Sequence, residues 1–315
     1  MNLFITFILL IIGFVLLVKG SDIFVDGSVS VAKLLRVPAV IIGLTIVSMG
    51  TSAPEAAVSI TAGIKGSNEI AISNLVGSNI FNMLCVAGVS AIITPFLVDK
   101  IVLKRDFPIS IGIMAIAAVM AITGNTVTRI EGVILLVIFL GYIAYLIRNA
   151  INNRETVDDD AKPMSPIKSA LFILIGLAAI IGGGQIVVES AKVIAKTFGM
   201  SETLIGVTIV AIGTSLPELV TSIVAAKKGQ SAIAIGNVVG SNIFNIAFVL
   251  GLSSAFTPIA VVPEAMIDNL VMIGVNAIGF VFCLTGKKLN RTEGIIMVCL
   301  YVLYTAYLIV RDSVK

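Results

Sequence analysis

The chain contains no histidine, which excludes imidazole-based metal binding, proton relay and catalysis. Cysteine is nearly as scarce: Cys85, Cys283 and Cys299 sit far apart in apolar segments. An odd count at that spacing gives neither a disulfide framework nor a thiolate metal site, and the three read as small core residues. Charge is sparse too, at 12% of 315 residues against about 25% in ordinary soluble domains. With 58% hydrophobic residues and a mean hydropathy of +1.11, nothing is left over for a sizeable soluble domain. No Lys or Arg precedes the first apolar run, and Val18-Lys19-Gly20-Ser21-Asp22 does not resemble a small-residue cleavage site. That run is expected to stay as a membrane helix and not to be removed as a signal peptide.

What the chain has instead is long apolar runs. A bilayer core about 30 Å thick needs about 20 apolar residues per helix, and the runs give ten spans: 3–31, 38–64, 70–95, 107–124, 130–148, 167–195, 202–226, 231–256, 266–285 and 292–310. Open sheets cannot satisfy their backbone in lipid, and the runs lack the alternation of barrel strands. The fold class is an all-α membrane protein of about ten transmembrane helices. Lys and Arg set the orientation. The connections after the odd-numbered spans hold fourteen, from Lys33 and Arg36 through to Lys287, Lys288 and Arg291; the other side holds six, and Lys19 lies within the first span. Both termini are expected outside the cytoplasm. The net charge of +3 reflects this bias and makes no case for nucleic-acid binding.

The decisive feature is an internal repeat. Gly50-Thr51-Ser52-Ala53-Pro54-Glu55 recurs as Gly213-Thr214-Ser215-Leu216-Pro217-Glu218, and Gly77-Ser78-Asn79-Ile80-Phe81-Asn82 recurs as Gly240-Ser241-Asn242-Ile243-Phe244-Asn245. Both pairs keep an offset of 163, as do Thr94-Pro95 and Thr257-Pro258. Five spans separate each feature from its copy, an odd number, so the second half must sit upside down relative to the first. The organisation expected is a first five-helix repeat over 1–148, a cytoplasmic linker over 149–166 and a second, inverted repeat over 167–315. Inverted repeats mark secondary transporters, with substrate sites near the midplane where the repeats meet. The linker is polar and aperiodic, which suggests a flexible connection. Its Asp158-Asp159-Asp160 run lacks the alternating ligands and turn glycine of an EF-hand and reads as a solvated charge cluster.

Glu55 and Glu218 lie near the middle of apolar spans, where a carboxylate costs about 2.5–3.5 kcal/mol even on lenient scales and is presumed functional. Thr51 and Ser52, and in the copy Thr214 and Ser215, precede each Glu by four and three residues and so share its helical face. On the next span Asn74, Ser78 and Asn82 form one polar stripe, reproduced by Asn237, Ser241 and Asn245. Every one of these groups offers oxygen. Pro54 and Pro217 remove a mid-helix hydrogen bond and obstruct the carbonyls of Gly50 and Gly213, and broken helices with free carbonyls are how transporters coordinate Na⁺. Gly77 and Gly240 are expected to let helices approach closely. Hard oxygens with two carboxylates suit Ca²⁺, which takes six to eight flexible ligands, better than Mg²⁺, which sheds water reluctantly. An empty site would hold two mutually repelling carboxylates, so empty transit should be disfavoured and one ion's movement coupled to another's. Asp22, Asp26, Glu189, Glu131, Asp268 and Glu293 lie near span ends and are left out of the site.

At these motifs the sequence resembles the sodium/calcium exchangers of the cation/calcium exchanger superfamily, over essentially the full chain. The resemblance implies Glu55 and Glu218 as central acidic ligands. It implies oxygens from Thr51, Thr214, Ser52, Ser215, Ser78 and Ser241 to Ca²⁺ and flanking Na⁺ sites, with Asn82 and Asn245 completing the centre. It also implies alternating access, with the first helix of each half sliding across the rest. Many family members carry Asp where this chain has Asn245, so the centre has two formal charges and not three, which leaves stoichiometry and counter-ion open. The linker is too short for a large calcium-sensing domain. Na⁺/Ca²⁺ antiport leads, with H⁺/Ca²⁺ antiport and a cation channel as alternatives. An enzyme is disfavoured, because nothing forms a nucleophile-and-base pair or an open metal site. No cofactor and no protein partner are evident; Ca²⁺ and Na⁺ are the substrates the resemblance implies, and the bilayer is expected to be a prokaryotic plasma membrane.

Overall fold

A computed structural model describes residues 3–152, 163–200, 209 and 211–313. The helices in chain order are α1 (Leu3–Leu35), α2a (Ala39–Thr51) and α2b (Ala53–Ile64), α3 (Asn68–Ile93), α4 (Val102–Gly124) and α5 (Arg129–Asn152). There follow α6 (Pro166–Thr197), α7a (Ala211–Thr214) and α7b (Leu216–Lys227), α8 (Ser231–Phe256), α9 (Pro263–Leu284) and α10 (Arg291–Ser313). Among the described residues eight of these are long and apolar enough to cross a membrane, and α2a with α2b makes a ninth span bent by 53°. The start of the span expected at 202, and the linker's Asp run, lie outside the described residues.

Local sequence explains the ends. α1 stops at a left-handed Arg36 (φ 55°), just before Val37, whose helical conformation is disfavoured by Pro38. α6 opens with Pro166 in its first turn, and Ser165 Oγ caps it by accepting from the Lys168 backbone N–H at 3.3 Å. α4 begins at Val102 and not at 107, so it takes Lys104, Arg105 and Asp106 into its first turns. Asp106 is fully buried there, bonded by Arg105 at 2.7 and 2.9 Å and by the Tyr142 hydroxyl of α5 at 3.0 Å. A paired, hydrogen-bonded carboxylate tolerates that burial.

Two short antiparallel ribbons join the ends of distant helices. β1 (Phe96–Leu97) pairs with β4 (Lys288–Leu289), and β2 (Thr126–Val127) pairs with β3 (Ile259–Ala260). Each ribbon ties a connection from before the linker to one from after it.

α3 and α8 form the centre: 78% and 94% of their most apolar stretches are buried, against 22% for α1, 28% for α6 and 11% for α10. α1 and α6 pack against each other along most of their length. Their seam is a run of glycines at the 163 offset, Gly13 and Gly20 on α1 against Gly176 and Gly183 on α6. A Cβ on Gly183 would lie 2.8 Å from the Gly13 carbonyl oxygen, and one on Gly176 2.7 Å from the Phe24 backbone nitrogen. Gly240 brings α8 equally close to α2a, where a Cβ would lie 2.6 Å from Ser48 Oγ. Gly77 meets nothing within 4 Å, and the stretch corresponding to Leu44, around 207, lies outside the described residues. Cys85 and Cys283 are core residues as expected, but Cys299 is exposed, on an α10 that has few buried positions.

Candidate ion-binding site

The helix breaks of α2 and α7 meet at the site, where side chains on either side of them bond across. α2 breaks at Ser52 (φ −81°, ψ 8°) and α7 at Ser215 (φ −93°, ψ 7°), each followed by a proline in the first turn of the new helix. Proline is accommodated there because the first-turn N–H groups have no intrahelical partner. Glu55 and Glu218 therefore sit in the first turns of α2b and α7b, where the partial positive charge of a helix N-terminus favours a carboxylate. Both are fully buried.

The halves then exchange hydrogen bonds. Ser52 Oγ donates to Glu218 Oε1 at 2.7 Å, and Ser215 Oγ donates to Glu55 Oε1 at 2.7 Å. Ser78 Oγ lies 3.2 Å from Ser215 Oγ. Thr51 Oγ1 lies 3.0 Å from Asn237 Oδ1, and Ser241 Oγ donates to the Ser48 carbonyl at 3.4 Å. Thr214, the last residue of α7a, is half-buried. Asn74 Nδ2 donates to Ser59 Oγ at 2.8 Å, and Asn237 Nδ2 donates to Ser222 Oγ at 3.0 Å, so the outer member of each polar stripe braces α2b or α7b. The inner members, Asn82 and Asn245, fall in π-helical turns over Asn82–Ala87 and Phe244–Leu250. Such turns widen a helix locally and recur at functional sites.

Two further asparagines, unremarked in the sequence, hold those inner amides. Asn82 Nδ2 donates to Asn242 Oδ1 at 3.2 Å, and Asn245 Nδ2 donates to Asn79 Oδ1 at 3.0 Å. Each lies one residue off the stripe, in the repeated Gly-Ser-Asn, and that repetition was the available signal. Asp106, Ser59, Ser222 and Asn276 were also missed.

Within the candidate site, one atom in each of four side chains is left over. Glu55 Oε2, Glu218 Oε2, Asn82 Oδ1 and Asn245 Oδ1 are all buried with no hydrogen-bond partner among the described residues. All four are acceptors, two from each half, and an unsatisfied buried acceptor costs about 1–3 kcal/mol or more when charged. A cation is the ligand that satisfies oxygens and not donors. Among the described residues no three Asp, Glu, Cys or His side chains cluster. The set is thus two carboxylates with neutral oxygens, suited to a hard cation that must also leave.

The six acids set aside have local partners. Lys228, just past α7b, reaches Asp22 at 2.8 Å and Asp26 at 2.6 Å on α1. Burial works against its charge, yet hydrogen bonds to both carboxylates hold the Lys228 ammonium above the usual lysine range. Glu189 pairs with Lys192, Asp268 with Arg311, and Glu131 and Glu293 cap the first turns of α5 and α10.

The chain matches the family described as sodium/calcium exchanger protein over residues 5–148 and 168–310. It is 37% identical to the putative antiporter CaxA of Alkalimonas amylolytica, over 94% of this chain and 96% of that one. It is 34% identical to the sodium/calcium exchanger MaX1 of Methanosarcina acetivorans, over 96% and 98%. The solved structure of the sodium-calcium exchanger NCX_Mj, soaked without Na⁺ and Ca²⁺, superposes with a TM-score of 0.85 at 33% identity, covering 97% of this chain and 99% of that one.

Proposed function

Because this chain belongs to the sodium/calcium exchanger family, we propose that it exchanges Ca²⁺ for Na⁺ by alternating access through one site near the midplane. Two inverted five-helix repeats, 1–148 and 167–315, build that site on either side of the 149–166 linker. Glu55 and Glu218 supply the charge. Thr51, Ser52, Ser78 and Asn82, with Thr214, Ser215, Ser241 and Asn245, supply neutral oxygens. The membrane is a prokaryotic plasma membrane with both termini extracytoplasmic.

The observation that carries this reading is the set of four buried acceptor oxygens without a donor. Two carboxylates balance one Ca²⁺ or two Na⁺, and the hydroxyls and amides around them complete the six to eight oxygens that Ca²⁺ takes. The serines also explain why the site does not open to an ion for nothing: each carboxylate already holds a 2.7 Å bond from the other half, and a cation must compete with it. The moving part is the α1–α6 pair. Its two helices bury most of their contact in each other across the glycine seam. Ser21 Oγ of α1 bonds Thr221 Oγ1 of α7b at 3.1 Å, and Lys228 holds Asp22 and Asp26.

H⁺/Ca²⁺ exchange is the second reading, favoured by one feature: both inner stripe residues, Asn82 and Asn245, are neutral, so two Glu are the only titratable groups of the proposed ligand set. The test is ⁴⁵Ca²⁺ uptake into proteoliposomes under an outward Na⁺ gradient, an outward proton gradient or neither. Uptake only with the Na⁺ gradient is expected. Proton-driven uptake keeps the site and replaces the counter-ion. Equal uptake with no gradient overturns antiport in favour of a channel.

A further inference from the structure

One buried amide near the centre has no copy in the other half. Asn276 is 1% exposed in the middle of apolar α9, and its counterpart is Met114, since Gly112 and Gly274, like Glu131 and Glu293, are related by an offset of 162 in this part of the chain. Its Nδ2 donates to the Met272 carbonyl at 2.8 Å, which commits its Oδ1 to accepting; that oxygen takes Asn242 Nδ2 at 2.8 Å. With its nitrogen drawn toward α9, Asn242 turns Oδ1 toward Asn82, whose Nδ2 donates to it at 3.2 Å. Asn82 must then direct its own Oδ1 the other way, and that is one of the four site oxygens without a donor.

We propose that Asn276 is a positioning residue which, through Asn242, fixes the Asn82 amide with its oxygen and not its nitrogen toward the transported cation. The inference rests on the ion-site reading above. Nothing within the Asn82–Asn242 pair alone sets this direction. If both amides turn over, Asn82 Oδ1 accepts from Asn242 Nδ2 and their mutual bond survives, but Asn82 then presents two N–H donors to the cation. A third group that can only accept breaks the tie.

The two halves show why the third group is needed once. Asn79 Nδ2 is held by the Asn242 backbone carbonyl at 3.2 Å, but the reciprocal bond from Asn242 Nδ2 to the Asn79 carbonyl is stretched to 3.5 Å. Where the main chain supplies a close acceptor, the amide that orients Asn245 is anchored without help. Where that acceptor stands further off, Asn276 supplies a closer one at 2.8 Å.

The test is ⁴⁵Ca²⁺ binding to the purified full-length protein without Na⁺, read by scintillation proximity so that slow transporters still report. Asn276→Leu is made in the native background and in Asn82→Asp. A carboxylate has two like oxygens and no wrong way round. Asn276→Leu is expected to weaken Ca²⁺ binding about tenfold in the native background, 1.4 kcal/mol, and by less than about twofold in Asn82→Asp, a non-additivity expected of coupled neighbours. Equal weakening in both backgrounds, the signature of a merely structural role, overturns the proposal, as does native affinity in Asn276→Leu. Asn276→Ala makes the same comparison if leucine is not accommodated. A native protein that binds no Ca²⁺ fails the ion-site reading itself, which separates the two.

Discussion

Glu218→Gln should abolish Ca²⁺ binding while leaving the fold intact, and the structure says which atom is responsible. Glu218 Oε1 is held by Ser52 Oγ at 2.7 Å, whereas Oε2 is buried without a partner. Glutamine is isosteric, so its amide oxygen keeps the Ser52 bond and its nitrogen falls where Oε2 was. The substitution removes a unit charge and turns the free acceptor into a donor aimed at the cation. A Ca²⁺–carboxylate contact at about 2.4 Å under an effective dielectric of about 20 is worth roughly 14 kcal/mol before desolvation. Even if stripping the ions of water offsets most of that, about 4 kcal/mol remains, or three decades of affinity. Glu55→Gln is expected to match it, since Ser215 holds Glu55 Oε1 in the same way. The assay is equilibrium ⁴⁵Ca²⁺ binding, with thermal unfolding to show that the variants remain folded. Either glutamine variant binding Ca²⁺ within about tenfold of the native protein, roughly 1.4 kcal/mol, would falsify the assignment of these carboxylates as direct ligands.

Lys228→Met removes both ion pairs to α1, which are partly exposed and together worth about 1 kcal/mol. Amide exchange around Asp22–Asp26 should rise several-fold, whereas Lys65→Met, at the corresponding but exposed position, should leave exchange unchanged. Gly183→Leu drives a side chain into the Gly13 backbone and should lower stability by about 1–3 kcal/mol. If α1 and α6 move as a pair, turnover falls further than Ca²⁺ affinity; an equal fall in both removes that mechanism. Asn245→Asp adds a third carboxylate to the centre, so one more cation is expected per cycle, read as a shift in the reversal potential of Na⁺-driven Ca²⁺ flux. An unshifted reversal potential places residue 245 outside the charge-determining set.

Hydropathy and an ungapped repeat made the spans and the paired carboxylates legible, because both are properties of sequence spacing. Lys104-Arg105-Asp106 read as a connection since three charged residues end an apolar run. They enter α4 with Arg105 pairing Asp106 and the Tyr142 hydroxyl bonding it, and Tyr142 stands 36 residues away. The same limit applied at the centre. A period of four picked out Asn82 and Asn245, but not Asn79 and Asn242, whose neighbouring face is polar only because it meets the other half.

Asn276 lay further out of reach, since a residue with no copy gives no repeat signal. What it offered was an amide in the middle of an apolar helix, a placement that calls for a partner. The duplicated residues thus mark the proposed ligands, while the unduplicated ones mark where the two halves differ. Asn276 bonds Asn242 where the matching position holds Met114, and Lys228 grips α1 where Lys65 stands exposed. Directionality in a site built from two like halves has to come from such positions. Asymmetry between the faces of this protein is therefore expected to follow Lys228 and Asn276 more than any residue of the repeated motifs.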